Sequence, residues 1–244
     1  MLALVSGASD LIFYDQRGGG RSKTDERTPI TWVTQVADLT AVIAELGATP
    51  LRIVGYSWGA LLAILYSIEA AAGRAGPIPE RLVLIDPAPV TRAFRDRFEA
   101  EFNRRQAGQE IQGMRDELTA SALRERDPDT YRQRAFELSV AGYFADPRKA
   151  RGLTPFRVVG RVQQSIWESL GEFDLTKPGL LDTVRVPSLV IHGRQDPIPL
   201  ESSIAASEGL QGRLVILEEC GHVPYVEQPT QLFEAIDTFL SPPV

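Results

Sequence analysis

The segment LRIVGYSWGALLAIL, residues 51–65, decides the fold. Residues 51–54 form a short run typical of a β-strand, and residues 60–72 are rich in helix formers. The intervening GYSWG fits the pattern G-x-S-x-G, in which a sharp turn from strand to helix lifts a serine hydroxyl above a sheet and glycines prevent clashes. A glycine-rich turn holding an ordinary serine is the alternative. The strand before and the helix after are the context that the motif requires, so we predict that Ser57 is a nucleophile.

Short β-rich runs alternate with amphipathic helical patterns along the rest of the chain. The predicted strands are 11–14, 51–54, 82–85, 188–191 and 214–217, and the predicted helices include 32–46, 60–72 and 231–240. Gly47 supplies a stop for the first of these helices. Such alternation predicts an α/β fold with a mostly parallel sheet flanked by helices.

A charged helical stretch without a convincing strand interrupts this alternation. We predict a core made of residues 1–87 and 187–244, with residues 88–186 inserted as a helical lid. A solvated helical excursion without a role in recognition is the alternative. The insertion begins at the carboxyl end of a predicted strand, where open parallel sheets bind their ligands, and this position favours a lid.

A serine hydroxyl needs a neighbouring base, and the base needs an acid that fixes its tautomer. Of the two histidines, His222 lies in a glycine-flanked loop after the last predicted strand, whereas His192 lies close to its own strand end and reads as structural. Asp196 follows a strand and precedes His222, which gives the order serine, acid, histidine. Asp86 is the rival acid, because it also follows a strand end.

Composition excludes several classes of function. The chain has 244 residues, a formal net charge of -6 and no stripe of Lys and Arg, which argues against a nucleic-acid partner. No apolar run reaches the roughly 18 residues of a membrane span, and no signal peptide is recognised. The single cysteine, Cys220, forms no internal disulfide and is interpreted as a passive small residue rather than a nucleophile. We expect a cytoplasmic protein without metal or other cofactor, and without a membrane partner.

The chain resembles the α/β-hydrolase superfamily, in particular the branch that contains proline iminopeptidases. The resemblance covers nearly the whole sequence and is carried by FYDQRG at 13–18 with GRS at 20–22, the GYSWG turn, HGRQDP at 192–197, and Gly221-His222 before Glu227. It implies the α/β-hydrolase fold and a triad of Ser57, Asp196 and His222. It also implies that the Trp58 N–H serves the oxyanion hole. Residues 15–17 within the first motif are interpreted as a polar turn rather than a substrate contact.

A second implication concerns the lid. In the peptidases of this branch a glutamate in a Trp-Glu pair receives the free α-amine of the substrate, and Trp167-Glu168 is similar. A solvated glutamate beside a packed tryptophan is the alternative.

The resemblance fails at the N-terminus. The family has a strand and a His-Gly-Gly-Pro-Gly-like loop before the DQRG strand, whereas residues 1–10 resemble only the end of the helix that follows that loop. We therefore expect the N-terminal strands to be missing, with a gap between the strands ending at Tyr14 and Val54 and a single oxyanion donor. The hypothesis is that the chain begins at an internal methionine of a longer protein, or is a decaying copy.

The function expected from the sequence is hydrolysis through an acyl-enzyme on Ser57, with a small molecule or short peptide as substrate. An aminopeptidase acting on small N-terminal residues is favoured over a carboxylesterase of small esters. A non-catalytic remnant that keeps the pocket without turnover is the alternative from another class.

Overall fold

A computed structural model describes residues 11–25, 27–155 and 160–241. Its strands are β1 Arg52–Tyr56, β2 Arg81–Ile85, β3 Ser188–Gly193 and β4 Arg213–Leu217. The helices are α1 Trp32–Leu46, α2 Trp58–Ala71, α3 Arg92–Gln106, α4 Gln109–Ala120, α5 Leu123–Arg126, α6 Pro128–Val140, α7 Gly160–Leu170, α8 Leu200–Gly209, α9 Pro224–Glu227 and α10 Pro229–Leu240. Three short 3₁₀ turns, Ala141–Tyr143, Pro147–Ala150 and Leu181–Thr183, complete the described elements. The interpretation of residues 1–10 lies outside the described residues.

The four strands form one parallel sheet in the order β1-β2-β3-β4. All but one residue of β2 and every residue of β3 are buried, as expected for central strands covered by helices on both faces. β1 is an edge strand within the described residues, and its Val54 is 48% exposed. The predicted parallel α/β sheet flanked by helices is confirmed, with every carboxyl end of the strands at one edge.

Alternate side chains of each strand face different helix layers, because successive side chains of a strand point to opposite faces. Leu82 and Leu84 belong to the main core with α1 and α2, while Val83 and Ile85 pack with α10 on the other face. On the first face α1 contributes the buried side chains Val36, Leu39 and Ile43, and on the second face α10 contributes Leu232 and Ile236. Burying each such side chain contributes about 1.5 to 3 kcal/mol.

Local signals fix α1 at both ends. The Thr31 side chain accepts a hydrogen bond from the Thr34 N–H, and the Thr34 hydroxyl accepts one from the Thr31 N–H. Gly47 closes the helix at a φ of 57°, a left-handed conformation that glycine adopts without strain. The helix predicted over residues 32–46 is therefore confirmed at both bounds.

The strand predicted over residues 11–14 is wrong. These residues form no strand, and Leu11, Ile12 and Phe13 are 40%, 51% and 66% exposed. A β-rich run becomes a strand only when another strand pairs with it, and none of the described strands lies beside β1 on that side. The expected gap inside the sheet is accordingly absent from the described residues, in which the sheet begins at β1.

Between β2 and β3 the described residues form no strand, and helices α3 to α7 occupy this stretch. The α3 helix buries none of its residues, and ion pairs such as Arg92–Asp96 and Arg95–Glu99 run along its surface. Exposed pairs of this kind add only about 0 to 1 kcal/mol each. The stretch is held by its own small apolar cluster instead, built from Ile111, Val140, Ala141, Phe144 and Ala150 together with Val223. Among the described helices, none has the length and apolarity to cross a bilayer.

Candidate active site

The turn between β1 and α2 is made over one residue, Ser57. The strand continues to Tyr56 and the helix begins at Trp58, so each predicted bound shifts by two residues toward the serine. Ser57 has φ 53° and ψ -120°, a strained conformation for a residue with a side chain. Its N–H donates to the Ile85 carbonyl at 2.9 Å, and its own carbonyl accepts from three backbone N–H groups. These bonds hold the strained residue in place.

Of the two glycines in the GYSWG turn, Gly55 is the one that packing requires. A Cβ at Gly55 would lie 2.4 Å from the Gly59 carbonyl oxygen and 2.6 Å from the Ala60 Cα, both backbone atoms of the following helix. Apart from its chain neighbours and the backbone of its own helix, a Cβ at Gly59 would meet no described atom within 4 Å. The expectation that both glycines prevent clashes is thus wrong for Gly59 within the described residues.

His222 reaches the Ser57 hydroxyl from the loop after β4. Its Nε2 lies 2.9 Å from the Ser57 Oγ, and its Nδ1 lies 2.7 Å from the Asp196 Oδ2. His222 is 5% exposed, while Ser57 is half-buried. The structure therefore brings together the three residues that the sequence assigned to a triad, from the ends of β1, β3 and β4.

Asp196 is held in the loop that follows β3. Its Oδ1 accepts a hydrogen bond from the Ile198 N–H at 2.7 Å, which leaves Oδ2 for the imidazole. Burial alone would raise the pKa of this carboxyl, but the charge and hydrogen bond of His222 outweigh it and the pKa is lowered. Asp196 is therefore ionised at neutral pH and can fix the His222 tautomer with a proton on Nδ1.

The histidine loop is clamped to the chain segment 143–146. The His222 N–H donates to the Tyr143 carbonyl at 2.7 Å, and a Cβ on Gly221 would lie 2.3 Å from that same oxygen. The Glu227 carboxylate accepts from the Gly221 N–H at 2.7 Å and from the Ala145 N–H at 3.0 Å. Sequence reasoning noted Glu227 only as part of a motif and missed this clamp, since its partners are far apart in the sequence.

The backbone N–H of Trp58 is the first of α2. It makes no hydrogen bond to another group in the described part of the chain, which is normal for the first turn of a helix. Positioned directly after Ser57 at the positive end of the helix, it can donate to a negative oxygen.

The Trp58 indole donates to the Gln16 Oε1 at 3.0 Å, and Arg17 forms a paired hydrogen bond with Asp38 on α1. Residues 15–17 thus act as a polar turn that supports the elbow, which is the GYSWG turn at residues 55–59.

Trp167 and Glu168 point in different directions from α7. Trp167 is 9% exposed and packs edge-on against Trp58, with ring centroids 6.3 Å apart. Glu168 is exposed, and its carboxylate accepts a hydrogen bond from Gln164 at 2.7 Å. The structure therefore places the tryptophan against the elbow and gives the glutamate no contact with the three site residues.

His192 and Asp86 lie beneath the site, both fully buried. The His192 Nδ1 bonds to the Ser203 hydroxyl at 2.9 Å, and burial lowers the pKa of this ring, so it is a neutral structural histidine. His192, Asp86 and Asp196 each bring a polar atom within 4.8 Å of the others. Asp196 uses both carboxylate oxygens within the protein, so we assign no metal to this cluster.

Cys220 is buried two residues before His222. Burial, first of all, and the nearby carboxylates raise the pKa of its thiol, so it carries no reactive thiolate. Its position makes it a packing residue of the core beneath the site.

The sequence profile of the alpha/beta hydrolase family matches residues 2–235. Epoxide hydrolase A of Mycobacterium tuberculosis is 26% identical over 282 residues, covering 98% of this chain and 84% of that protein. Proline iminopeptidase of Heyndrickxia coagulans is 24% identical over 259 residues, covering 99% and 85%. An alpha/beta fold family hydrolase of Bacillus anthracis superposes with a TM-score of 0.67 at 17% identity, covering 93% of this chain and 80% of that one.

Proposed function

Because this chain belongs to the alpha/beta hydrolase family, we propose that it is a serine hydrolase that works through an acyl-enzyme on Ser57. The observation that carries the proposal is the continuous contact from the Ser57 Oγ to the His222 Nε2 at 2.9 Å and from the His222 Nδ1 to the Asp196 Oδ2 at 2.7 Å. Base and nucleophile within hydrogen-bond reach, with the base oriented by a third group, is the arrangement that nucleophilic catalysis needs.

The proposed reaction proceeds in two halves. The Ser57 oxygen attacks a carbonyl carbon while His222 accepts the hydroxyl proton, and Asp196 stabilises the imidazolium that forms. The Trp58 N–H donates to the oxygen of the tetrahedral intermediate. His222 then gives the proton to the leaving group, and a water deprotonated by His222 cleaves the acyl-enzyme.

We also propose that residues 88–186 form the lid of this site. Two contacts support this, since Trp167 of α7 lies against Trp58 and the Tyr143 ring lies 5.1 Å from the His222 ring. Both contacts bring apolar aromatic surface beside the nucleophile. The substrate class that fits is a small molecule or short peptide whose acyl or leaving group is apolar.

A fluorophosphonate probe tests the proposal directly. Ser57 should be labelled stoichiometrically in the purified protein, because the probe reacts with serines that a neighbouring base activates. Mass spectrometry of the labelled peptide identifies the modified residue. Ser57→Ala serves as the specificity control, and Ser203→Ala as a control on a buried serine that also touches a histidine.

Labelling that persists in Ser57→Ala would contradict the assignment. Absence of labelling in a folded wild-type protein would instead favour the non-catalytic alternative, in which the pocket binds without turnover.

The finer proposal is an aminopeptidase, with a carboxylesterase as the second candidate. The similarity to proline iminopeptidases supports the peptidase, and Trp167-Glu168 lies on α7 beside the elbow. Glu168 would have to leave Gln164 and turn inward to receive a substrate amine.

Glu168→Gln separates these candidates. If Glu168 binds the α-amine, the change should raise the KM for proline arylamides by about 10-fold or more, since a hydrogen bond to a charged group contributes about 1.5 to 3 kcal/mol. Cleavage of uncharged aryl esters should stay within about 3-fold. Gln164→Ala, which frees the Glu168 carboxylate from its present partner, is the matched variant. Equal effects of Glu168→Gln on arylamides and esters would rule out amine recognition.

A further inference from the structure

Asp86 is a buried acid that the proposed mechanism does not use. It follows β2, adopts a φ of 40° and is fully enclosed. One carboxylate oxygen, Oδ1, accepts a hydrogen bond from the Gly193 N–H at 2.8 Å. The other, Oδ2, receives no hydrogen bond from any donor in the described structure. A buried carboxylate oxygen that receives no hydrogen bond destabilises the folded protein, so the missing partner of Oδ2 needs an explanation.

A second buried carboxyl group, that of Asp196, lies close to Asp86. Asp86 and Asp196 each have an oxygen within the 4.8 Å cluster that also contains a nitrogen of His192. His192 is neutral, and its Nδ1 lies 3.7 Å from the Asp86 Oδ1, too far for a hydrogen bond. Two ionised carboxylates this close in a buried site repel each other strongly, so one of them holds a proton.

The hydrogen bonds of the two carboxyl groups indicate which of them holds the proton. Asp196 has its two oxygens occupied by donors, the Ile198 N–H and the His222 ring, and both bonds favour the ionised form. Asp86 has one donor and one free oxygen. The remaining titratable groups facing Asp86 are Tyr56 of β1, Cys220 of the loop after β4, and Glu227 of α9, and among the described residues no Lys or Arg hydrogen-bonds to it.

We propose that Asp86 is a neutral carboxylic acid whose Oδ2 proton is donated in a hydrogen bond to the Asp196 carboxylate. Resting on the proposed role of Asp196, this makes Asp86 a positioning residue, which holds the acid member of the triad in place from below. In this arrangement Asp86 forms two hydrogen bonds. Its Oδ2–H donates to the Asp196 carboxylate, and its Oδ1 accepts from the Gly193 N–H. Burial and the charge of Asp196 act in the same direction, since both raise the pKa of Asp86.

Infrared spectroscopy tests the protonation state independently of activity. Wild-type protein at neutral pH should show the C=O stretch of a protonated carboxyl group, and Asp86→Asn should lose that band. Asp116→Asn, a change at an exposed aspartate on α4, is the matched control and should keep it.

The pH dependence of stability gives a second test, and its sign follows from the raised pKa. The unfolded chain ionises Asp86 near the ordinary value of 3.8, whereas the folded protein keeps it protonated to higher pH. Wild-type protein therefore loses free energy of unfolding as the pH rises above about 3.8, up to the folded pKa. Asp86→Asn has no such loss, so its stability relative to wild type should increase with pH in urea unfolding series between about pH 4 and pH 9.

Labelling of Ser57 reports the positioning role. Asp86→Asn keeps a neutral donor and acceptor and should label at least about 10-fold faster than Asp86→Ala, which has neither. Above the folded pKa of Asp86 the wild-type rate should fall, and the Asn variant should lack that alkaline decline.

An infrared spectrum unchanged by Asp86→Asn, or a stability difference that falls with pH, would overturn the proposal. Equal labelling rates of the Asn and Ala variants would overturn the positioning role. Failure of Ser57 to react in wild type would contradict the proposed function but not the protonated state of Asp86, because the infrared and stability measurements need no turnover.

Discussion

Replacing His222 by alanine is expected to lower kcat on an aryl ester by a factor on the order of 10⁶, which is the scale seen when one member of a serine triad is removed from a comparable hydrolase. The imidazole is the only base placed within hydrogen-bond reach of the Ser57 Oγ by the described structure, at 2.9 Å. Without it the hydroxyl keeps its proton and is a poor nucleophile at neutral pH. Initial rates and the rate of fluorophosphonate labelling should fall together.

The control for this variant is its folding. His222 is buried and its ring lies between those of Tyr56 and Tyr143, at 5.2 and 5.1 Å, so thermal unfolding must show that the protein remains native. A folded His222→Ala protein that still labels at the wild-type rate would show that another group activates Ser57.

Replacing Asp196 by asparagine is expected to lower kcat by about 10⁴-fold while leaving the fold intact. An asparagine amide can donate to the His222 Nδ1 and so favours the tautomer whose Nε2 carries a proton, which cannot accept one from Ser57. Steady-state kinetics with an ester substrate measure the change.

Asp182→Asn provides the comparison for Asp196→Asn. Asp182 is exposed and accepts a hydrogen bond from the Gly179 N–H, so its replacement should alter kcat less than about 3-fold. A loss below about 10-fold for Asp196→Asn would mean that Asp196 does not orient the base, and would turn attention to Asp86 as the rival acid.

The sequence predicted much of this architecture because its local signals agree with the tertiary environment. The helix over residues 32–46 is predicted with its correct bounds, since apolar spacing and Gly47 indicate the limits that the structure shows. The strands β2, β3 and β4 were predicted within two residues because buried parallel strands are continuous apolar runs.

Where the sequence failed, the missing information was tertiary. Residues 11–14 have the composition of a strand, but composition does not supply a pairing partner. The predicted strand ends two residues early because glycine usually weakens a strand, whereas Gly55 continues β1 and lets the helix backbone approach.

The sequence predicts the three reacting groups of the candidate site, but it does not predict the contacts that hold those groups in position. Motif context and chain order pointed to Ser57, Asp196 and His222, which the structure places in contact. No sequence signal linked the Tyr143 carbonyl to His222, or Asp86 to the underside of Asp196, because both contacts join segments more than 70 residues apart.

The clamp around His222 has a mechanical consequence. The His222 N–H donates to the Tyr143 carbonyl, and the Glu227 carboxylate joins the Gly221 N–H to the Ala145 N–H, so a movement of residues 143–145 would pull the base away from the serine. Trp167 meets Trp58 through ring contact, so engineering for larger substrates should begin at Trp167 rather than at the clamped loop.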